Sequence, residues 1–293
     1  MQLLTPLHWK EYELIDSGNF EKLERFGAYV LARPEPQAIW DKSLSEQEWK
    51  KRAQATFVRE KNSPERGEWQ LTPGMPEKWW TSYRHQQLDL KLKCSLTAFK
   101  HVGIFPEQAA NWDYLAQKLS DLPVERPTVL NLFAYTGAAS VAARQAGADV
   151  THVDSVKPVV TWARENMEAS GIDNIRWMVE DAFKFVQREV RRGKTYNCII
   201  LDPPAYGRGP AGEKWVLEEQ LNELLKSCSE LLDKQSFVFI LNLYSLGFSA
   251  LMAENLVLDR FGKIPNAEMG ELYLPDHFGR KLPLGIFYRF ASV

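Results

Sequence analysis

The tetrapeptide Asp202-Pro203-Pro204-Ala205 follows the apolar run Cys198-Ile199-Ile200-Leu201, so a buried strand delivers a carboxylate and then stops. Consecutive prolines cannot donate to a sheet ladder and hold φ near its narrow range, which ends pairing and leaves a stiff turn. A rigid acid beside a flat backbone ledge can position a planar heteroaromatic nitrogen for attack on a bound electrophile; the same residues also suit a plain strand terminator. Upstream, Gly137 sits where an apolar strand turns into a helix. A glycine there permits positive φ and lets a ligand reach backbone amides at the helix start, or simply makes the turn. The fuller Gly-x-Gly-x-x-Gly of a pyrophosphate site is absent, which fits a cofactor without phosphates, such as S-adenosylmethionine. Asp154-Ser155 closes the next strand, and an acid so placed can accept hydrogen bonds from both hydroxyls of a ribose. Asp181-Ala182 closes the third, where Asp181 could accept from an adenine amino group or cap the helix that follows.

These tips need elements behind them. From Thr128 onward strand and helix alternate: strands at 128–135, 149–154, 175–179, 196–201 and 236–243, with helices at 138–146, 157–170, 182–192, 215–232 and 249–261. That order predicts an α/β, Rossmann-like doubly wound sheet. Two further strands, at 267–274 and 284–291, flank the turn 275–281 and predict a C-terminal antiparallel hairpin, for seven strands in all. The hairpin would bring His277, Arg280 and Lys281 to the same edge as the cofactor. Tyr206-Gly207-Arg208-Gly209 through Lys214 reads as a substrate loop, in which Tyr206 could stack on a base and Arg208 pair with a phosphate, or as a plain connector. Together with Arg208 and Lys214, the hairpin cations could form a local cationic mouth. The basic run Arg188, Arg191, Arg192 and Lys194 falls at the opposite edge, and His152 falls inside a buried strand. Residues 1–94 are tryptophan-rich with short alternating runs, predicting a small N-terminal β-rich domain, with 59–76 as an extended loop. Residues 95–293 form the larger domain, entered through a helix at 106–122.

Composition narrows the function classes. The chain of 293 residues is 45% apolar, 25% charged and carries a formal net charge of −2, which does not suit a protein that grips nucleic acid over a broad face. No apolar run reaches membrane-spanning length and no secretory pattern opens the chain, so a cytoplasmic location is expected. Cys94, Cys198 and Cys228 have no metal-like spacing, and neither a metal nor a disulfide framework is expected.

Asn131-Leu132-Phe133-Ala134-Tyr135-Thr136-Gly137, Val153-Asp154-Ser155, Trp162-Ala163-Arg164-Glu165-Asn166 and Asp202-Pro203-Pro204-Ala205-Tyr206 together resemble the class I S-adenosylmethionine-dependent methyltransferases. Within these the chain is similar to the ribosomal-RNA large-subunit group that holds a guanine-N7 and a cytosine carbon-5 enzyme. The likeness covers residues 95–293, and Gly103-Ile104-Phe105-Pro106-Glu107-Gln108 resembles that group's Gly-x-Phe-x-x-Gln lead-in. The resemblance implies that Phe105 and Gln108 line the methionine end. It implies cofactor contacts from Phe133, Tyr135, Gly137, Asp154, Ser155, Asp181, Ala182 and Asp202. Asp202, Pro203 and Pro204 would form the catalytic acceptor edge. Carbon-5 methylation needs a cysteine thiolate, which in those members follows the fifth strand; residues 241–247 contain none. A nitrogen or oxygen acceptor is therefore expected, a nitrogen first, and the resemblance implies a base in ribosomal RNA. A small molecule or protein side chain is the alternative acceptor, and a non-catalytic RNA- or partner-binding module of the same fold a further one.

Overall fold

The computed structural model describes residues 1–60, 66–244 and 247–293. Part of the expected extended loop, 61–65, and residues 245–246 of the cysteine-free segment lie outside the described residues. The chain opens with β1 (Gln2–Leu4), then β2 (Tyr12–Gly18), β3 (Glu21–Phe26), β4 (Tyr29–Pro34), α1 (Glu46–Arg52), β5 (Ala55–Arg59) and β6 (Gly67–Leu71). Strands β2 to β6 form one five-stranded sheet. Residues 59–76 are thus not all loop, since β6 pairs antiparallel with β5; Gly67 allows it, because a Cβ there would lie 2.3 Å from the Val58 carbonyl oxygen. Buried Asp16 anchors this sheet by accepting from the Leu44 amide at 2.9 Å and the Trp49 indole at 2.8 Å. A separate hairpin follows, β7 (Lys78–His85) and β8 (Leu88–Ser95).

A 3₁₀ turn at Pro106–Gln108 leads to α2 (Ala109–Asp121), β9 (Thr128–Leu132), α3 (Ala138–Gln145), β10 (Asp149–Asp154), α4 (Lys157–Ala169), β11 (Ile175–Val179), α5 (Ala182–Arg191) and β12 (Cys198–Leu201). After a small hairpin, β13 (Tyr206–Arg208) and β14 (Lys214–Val216), come α6 (Leu217–Leu231), β15 (Val238–Leu243), α7 (Ala250–Phe261), β16 (Glu268–Pro275) and β17 (Lys281–Ala291). The large sheet runs β1-β16-β17-β15-β12-β9-β10-β11, with β17 antiparallel to both its neighbours. The Rossmann-like sheet with a closing hairpin is therefore present, but it has eight strands rather than seven. The extra one is β1, which pairs parallel with β16. Gly270 admits it: a Cβ there would fall 1.7 Å from the Gln2 carbonyl oxygen.

Central strands buried on both faces send successive side chains to opposite layers. Leu130, Ile199, Leu201, Phe239 and Leu241 join Phe185, Leu221, Leu224 and Val257 on one face. Val129, Cys198, Ile200, Val238 and Ile240 join Leu115, Leu119 and Ala143 on the other. Registers Leu201↔Leu132, Leu201↔Leu241 and Val153↔Leu132 bring the carboxyl tips of four strands to one edge. The hairpin β7–β8 lies on α3 and α4. The Asp89, Lys91 and Lys93 amides donate to Gln145, Ser170 and Asn166 at 2.8–2.9 Å, so helix side chains satisfy an exposed strand edge.

Candidate active site

A cleft enclosing about 60 Å³ opens at the carboxyl edge, between the strand tips, the 3₁₀ turn and α2. Its first wall is the loop 133–137. Phe133, Tyr135 and Gly137 take φ of +54°, +50° and +81°; the two aromatic residues are backbone outliers, and such strain persists only where the surroundings impose it. The surroundings do so here. The Tyr135 amide donates to Asp154 Oδ2 at 2.9 Å, the Thr136 hydroxyl to the Gly103 carbonyl at 2.5 Å, and the Asn166 amide group to the Thr136 carbonyl at 2.9 Å. A Cβ on Gly137 would meet the Ala163 Cβ at 2.8 Å, and one on Gly103 would strike the Trp162 ring at 2.2 Å. Both glycines therefore let the loop and the lead-in close onto α4.

Asp154 is half-buried and also accepts from the Val156 amide at 2.9 Å. Burial pushes its carboxyl up, and the amides of Val156, Tyr135 and Ser155 pull it back down. Each oxygen retains lone-pair capacity for a hydroxyl. Asp181 caps α5 by accepting from the Lys184 amide at 2.9 Å, and Ala182 is buried in the apolar core behind it. Phe105 and Gln108 line the cleft, with the Phe105 ring 5.4 Å from that of Tyr135. Phe133 packs 4.9 Å from Trp215.

Asp202 lines the same cleft, half-buried, and burial pushes its carboxyl up to about 7. Pro203 is buried and Pro204 exposed, with the Pro204 carbonyl held by the Trp215 indole at 2.7 Å. The expected substrate loop is the hairpin β13–β14, with α6 starting at Leu217 instead of 215. Tyr206, Arg208 and Lys214 are exposed on that hairpin, Arg208 directly opposite Lys214.

The cationic mouth is corrected in part. His277 lies 3.1 Å from Glu13, and Arg280 donates to the Ser17 carbonyl at 3.2 Å and lies 3.7 Å from Asp16. Both side chains are drawn to β2 because the N-terminal sheet packs on the β16–β17 turn and presents its carboxylates there. Lys281 sits over the Tyr273 ring at 5.1 Å.

Several residues to which the sequence assigned no role meet here. Asn111 donates to Gln108 at 3.1 Å and to Asn242 at 2.9 Å, while Asn131 donates to Ser140 at 2.9 Å. An asparagine breaking an apolar strand near its carboxyl tip, as Asn131 and Asn242 do, was the available signal. Glu107 is buried, and burial pushes it up to about 7; Lys22 and Arg33 act against that rise and Asp202 adds to it. The N-terminal sheet also reaches the edge through Glu35, which accepts from Tyr244 at 2.7 Å and pairs with Lys22 at 3.0 Å. No local pattern marks those charges, because they meet only in the tertiary structure.

The comparisons with known proteins bear on this arrangement. A crystal structure described as the SAM-dependent methyltransferase from Agrobacterium tumefaciens is 36% identical, with a TM-score of 0.90 over 100% of this chain and 94% of that one. The chain belongs to the S-adenosylmethionine-dependent methyltransferases. The family described as conserved hypothetical protein 95 matches residues 108–244. A ribosomal RNA large subunit methyltransferase K/L from Pseudoalteromonas translucida is 31% identical over 155 residues, covering 52% of this chain and 20% of that protein. This chain spans about a fifth of the length of such K/L relatives. SMU.776, solved in complex with SAH, is 20% identical with a TM-score of 0.66 over 96% of this chain and 76% of that one, and shares the fold.

The residues present suit this methyltransferase's cofactor. The imposed loop 133–137 and Phe105 with Gln108 line one cleft beside Asp202, and the Asp154 carboxylate, with spare lone pairs, is tied to that loop through the Tyr135 amide, while Asp154, Ser155, Asp181 and Ala182 stand outside the cleft lining. No helix among the described residues is long and apolar enough to cross a membrane.

Proposed function

We propose that this methyltransferase modifies a nitrogen of a base in large-subunit ribosomal RNA, in the cytoplasm. The observation that carries the reading is the half-buried Asp202 carboxylate on the rigid Pro203–Pro204 ledge, opening into the cofactor cleft. Bound in that cleft, S-adenosylmethionine supplies an electrophilic methyl group. Asp154 would hold the ribose, Asp181 the adenine, Gly137 the backbone turn, and Phe105 with Gln108 the methionine end; Phe133 and Tyr135 would wall the cleft, with Ser155 and Ala182 beside the carboxylates that precede them. Asp202 would accept a hydrogen bond from the acceptor and, with Pro203 and Pro204, align its lone pair, so that catalysis is positioning and charge stabilisation.

A nitrogen acceptor is favoured because all three cysteines are buried and their thiols pushed up by burial, so none supplies the thiolate that carbon-5 chemistry requires. Ribosomal RNA is favoured by the names of the relatives that match half of this chain. Exposed Tyr206, Arg208, Lys214 and Lys281 remain available to RNA, whereas His277 and Arg280 serve to dock residues 1–94 against 95–293. In this reading the N-terminal domain walls the acceptor side through Lys22 and Glu35. Nucleoside mass spectrometry of ribosomal RNA from a deletion strain should show one lost methyl mark, restored by the parent gene but not by Asp202→Ala. A complete set of marks would shift the reading to a small-molecule or protein acceptor.

A further inference from the structure

Away from the cleft, three potential metal ligands converge from three separate parts of the chain. His8 lies between β1 and β2, His85 ends β7, and Asp113 sits on α2. Each offers a ligand atom within 4.8 Å of the other two. The imidazoles stack with centroids 3.6 Å apart and planes 8° from parallel, and neither makes a hydrogen bond among the described residues. Asp113 is oriented from behind, because the Tyr83 hydroxyl lies 2.7 Å from both of its oxygens. Such outer-shell support for a carboxylate is what a metal ligand requires. Behind the cluster Trp9, Tyr83 and Trp112 form an aromatic floor, with ring centroids 5.2–5.7 Å apart. His8 is exposed and the other two are half-buried, which leaves an entry path.

We propose that His8, His85 and Asp113 form a divalent transition-metal site, with zinc as its natural occupant. Two neutral imidazole nitrogens and one carboxylate oxygen match the donor preferences of zinc and leave a fourth position for water. Tetrahedral coordination needs donors about 2.0–2.2 Å from the ion. Exposed His8 supplies the adjustment by turning its side chain, while Asp113 stays on its Tyr83 brace. The ion would clamp the N-terminal segment and β7 onto α2, the helix whose Asn111 lines the cofactor cleft. Its role would be structural, independent of which acceptor the enzyme methylates.

The test uses untagged full-length protein, stripped with chelator and titrated with zinc chloride. Calorimetry should give one zinc per chain, and tryptophan emission should change along the same isotherm, since Trp9 and Trp112 adjoin two ligands. Free zinc at about 100 times the dissociation constant should lower the unfolding equilibrium constant about 100-fold. His8→Gln and His85→Gln should each weaken binding at least about tenfold, with unchanged circular dichroism, while His277→Gln should bind as the parent does. No saturable binding at millimolar zinc, or binding untouched by both ligand substitutions, would overturn the proposal.

Discussion

In the proposed function Asp154 serves two purposes with one carboxylate. Its oxygens already accept the Tyr135 and Val156 amides at 2.9 Å, so it ties the strained loop to the tip of β10 and retains lone pairs that the proposed ribose contact would use. Asp154→Ala should weaken S-adenosylhomocysteine binding at least about tenfold, equivalent to about 1.4 kcal/mol; calorimetry showing unchanged affinity would remove the ribose role. Asp202 poses a different question, one of pH. Burial pushes it up to about 7, above its unfolded range, so the folded state holds its proton more tightly than the unfolded chain does. The stability this lends is full below the unfolded pKa and is lost as pH rises through about 7. Asp202→Asn, which cannot ionise, should match the parent in acid and exceed it at mildly alkaline pH, read as denaturant midpoints across pH. A parent that does not lose ground as pH rises would show that the acid ionises freely in the fold. The sequence made Asp154 and Asp202 visible because each closes an apolar run; Glu107 carried no such mark, its proximity to Lys22 and Asp202 arising only on folding.

At the scale of elements, the β2–β3 connection is the clearest departure from local preference. Asn19 and Phe20 form a two-residue hairpin loop with φ of +51° and +64°, a geometry that strongly favours Asn-Gly. Phe20 is bulky, 56% exposed, and held there by backbone bonds with Ala38 and Glu35. Phe20→Gly should therefore stabilise the protein by about 1 kcal/mol, since a left-handed conformation costs an L-residue about that much. Denaturant unfolding checks it, and a loss of stability would mean the ring contributes packing beyond its exposed setting. Helices and inner strands were legible because their periodicities of 3.6 and 2 survive in the sequence. Strand β6 and the hairpin β13–β14 were not, being short, polar and stabilised by partners rather than by pattern.

Across the whole molecule, the two halves meet through buried charge. Asp16 is fully buried, organises the Ser43–Trp49 turn, and faces Arg280 from the closing hairpin at 3.7 Å. Nearby Ser17 donates to Asp276 at 3.0 Å. Removing one partner of such a network leaves others buried and unpaired, so Asp16→Ala should destabilise by about 3–5 kcal/mol; a midpoint shift under a third of that would assign the docking to apolar contacts. The sequence by itself determined the alternation of strand and helix, the order of the strand-tip residues and the absence of a cysteine from 241–247, because each depends on local spacing or on composition. Only the tertiary structure decided that β1 completes the large sheet, that His277 and Arg280 turn to β2 instead of the cleft, and that Asn111 and Asn242 line the cleft while Glu107 is buried within electrostatic reach of Asp202. Those outcomes depend on which distant surfaces pack, and the free energy of that packing comes from contacts between residues far apart in the chain.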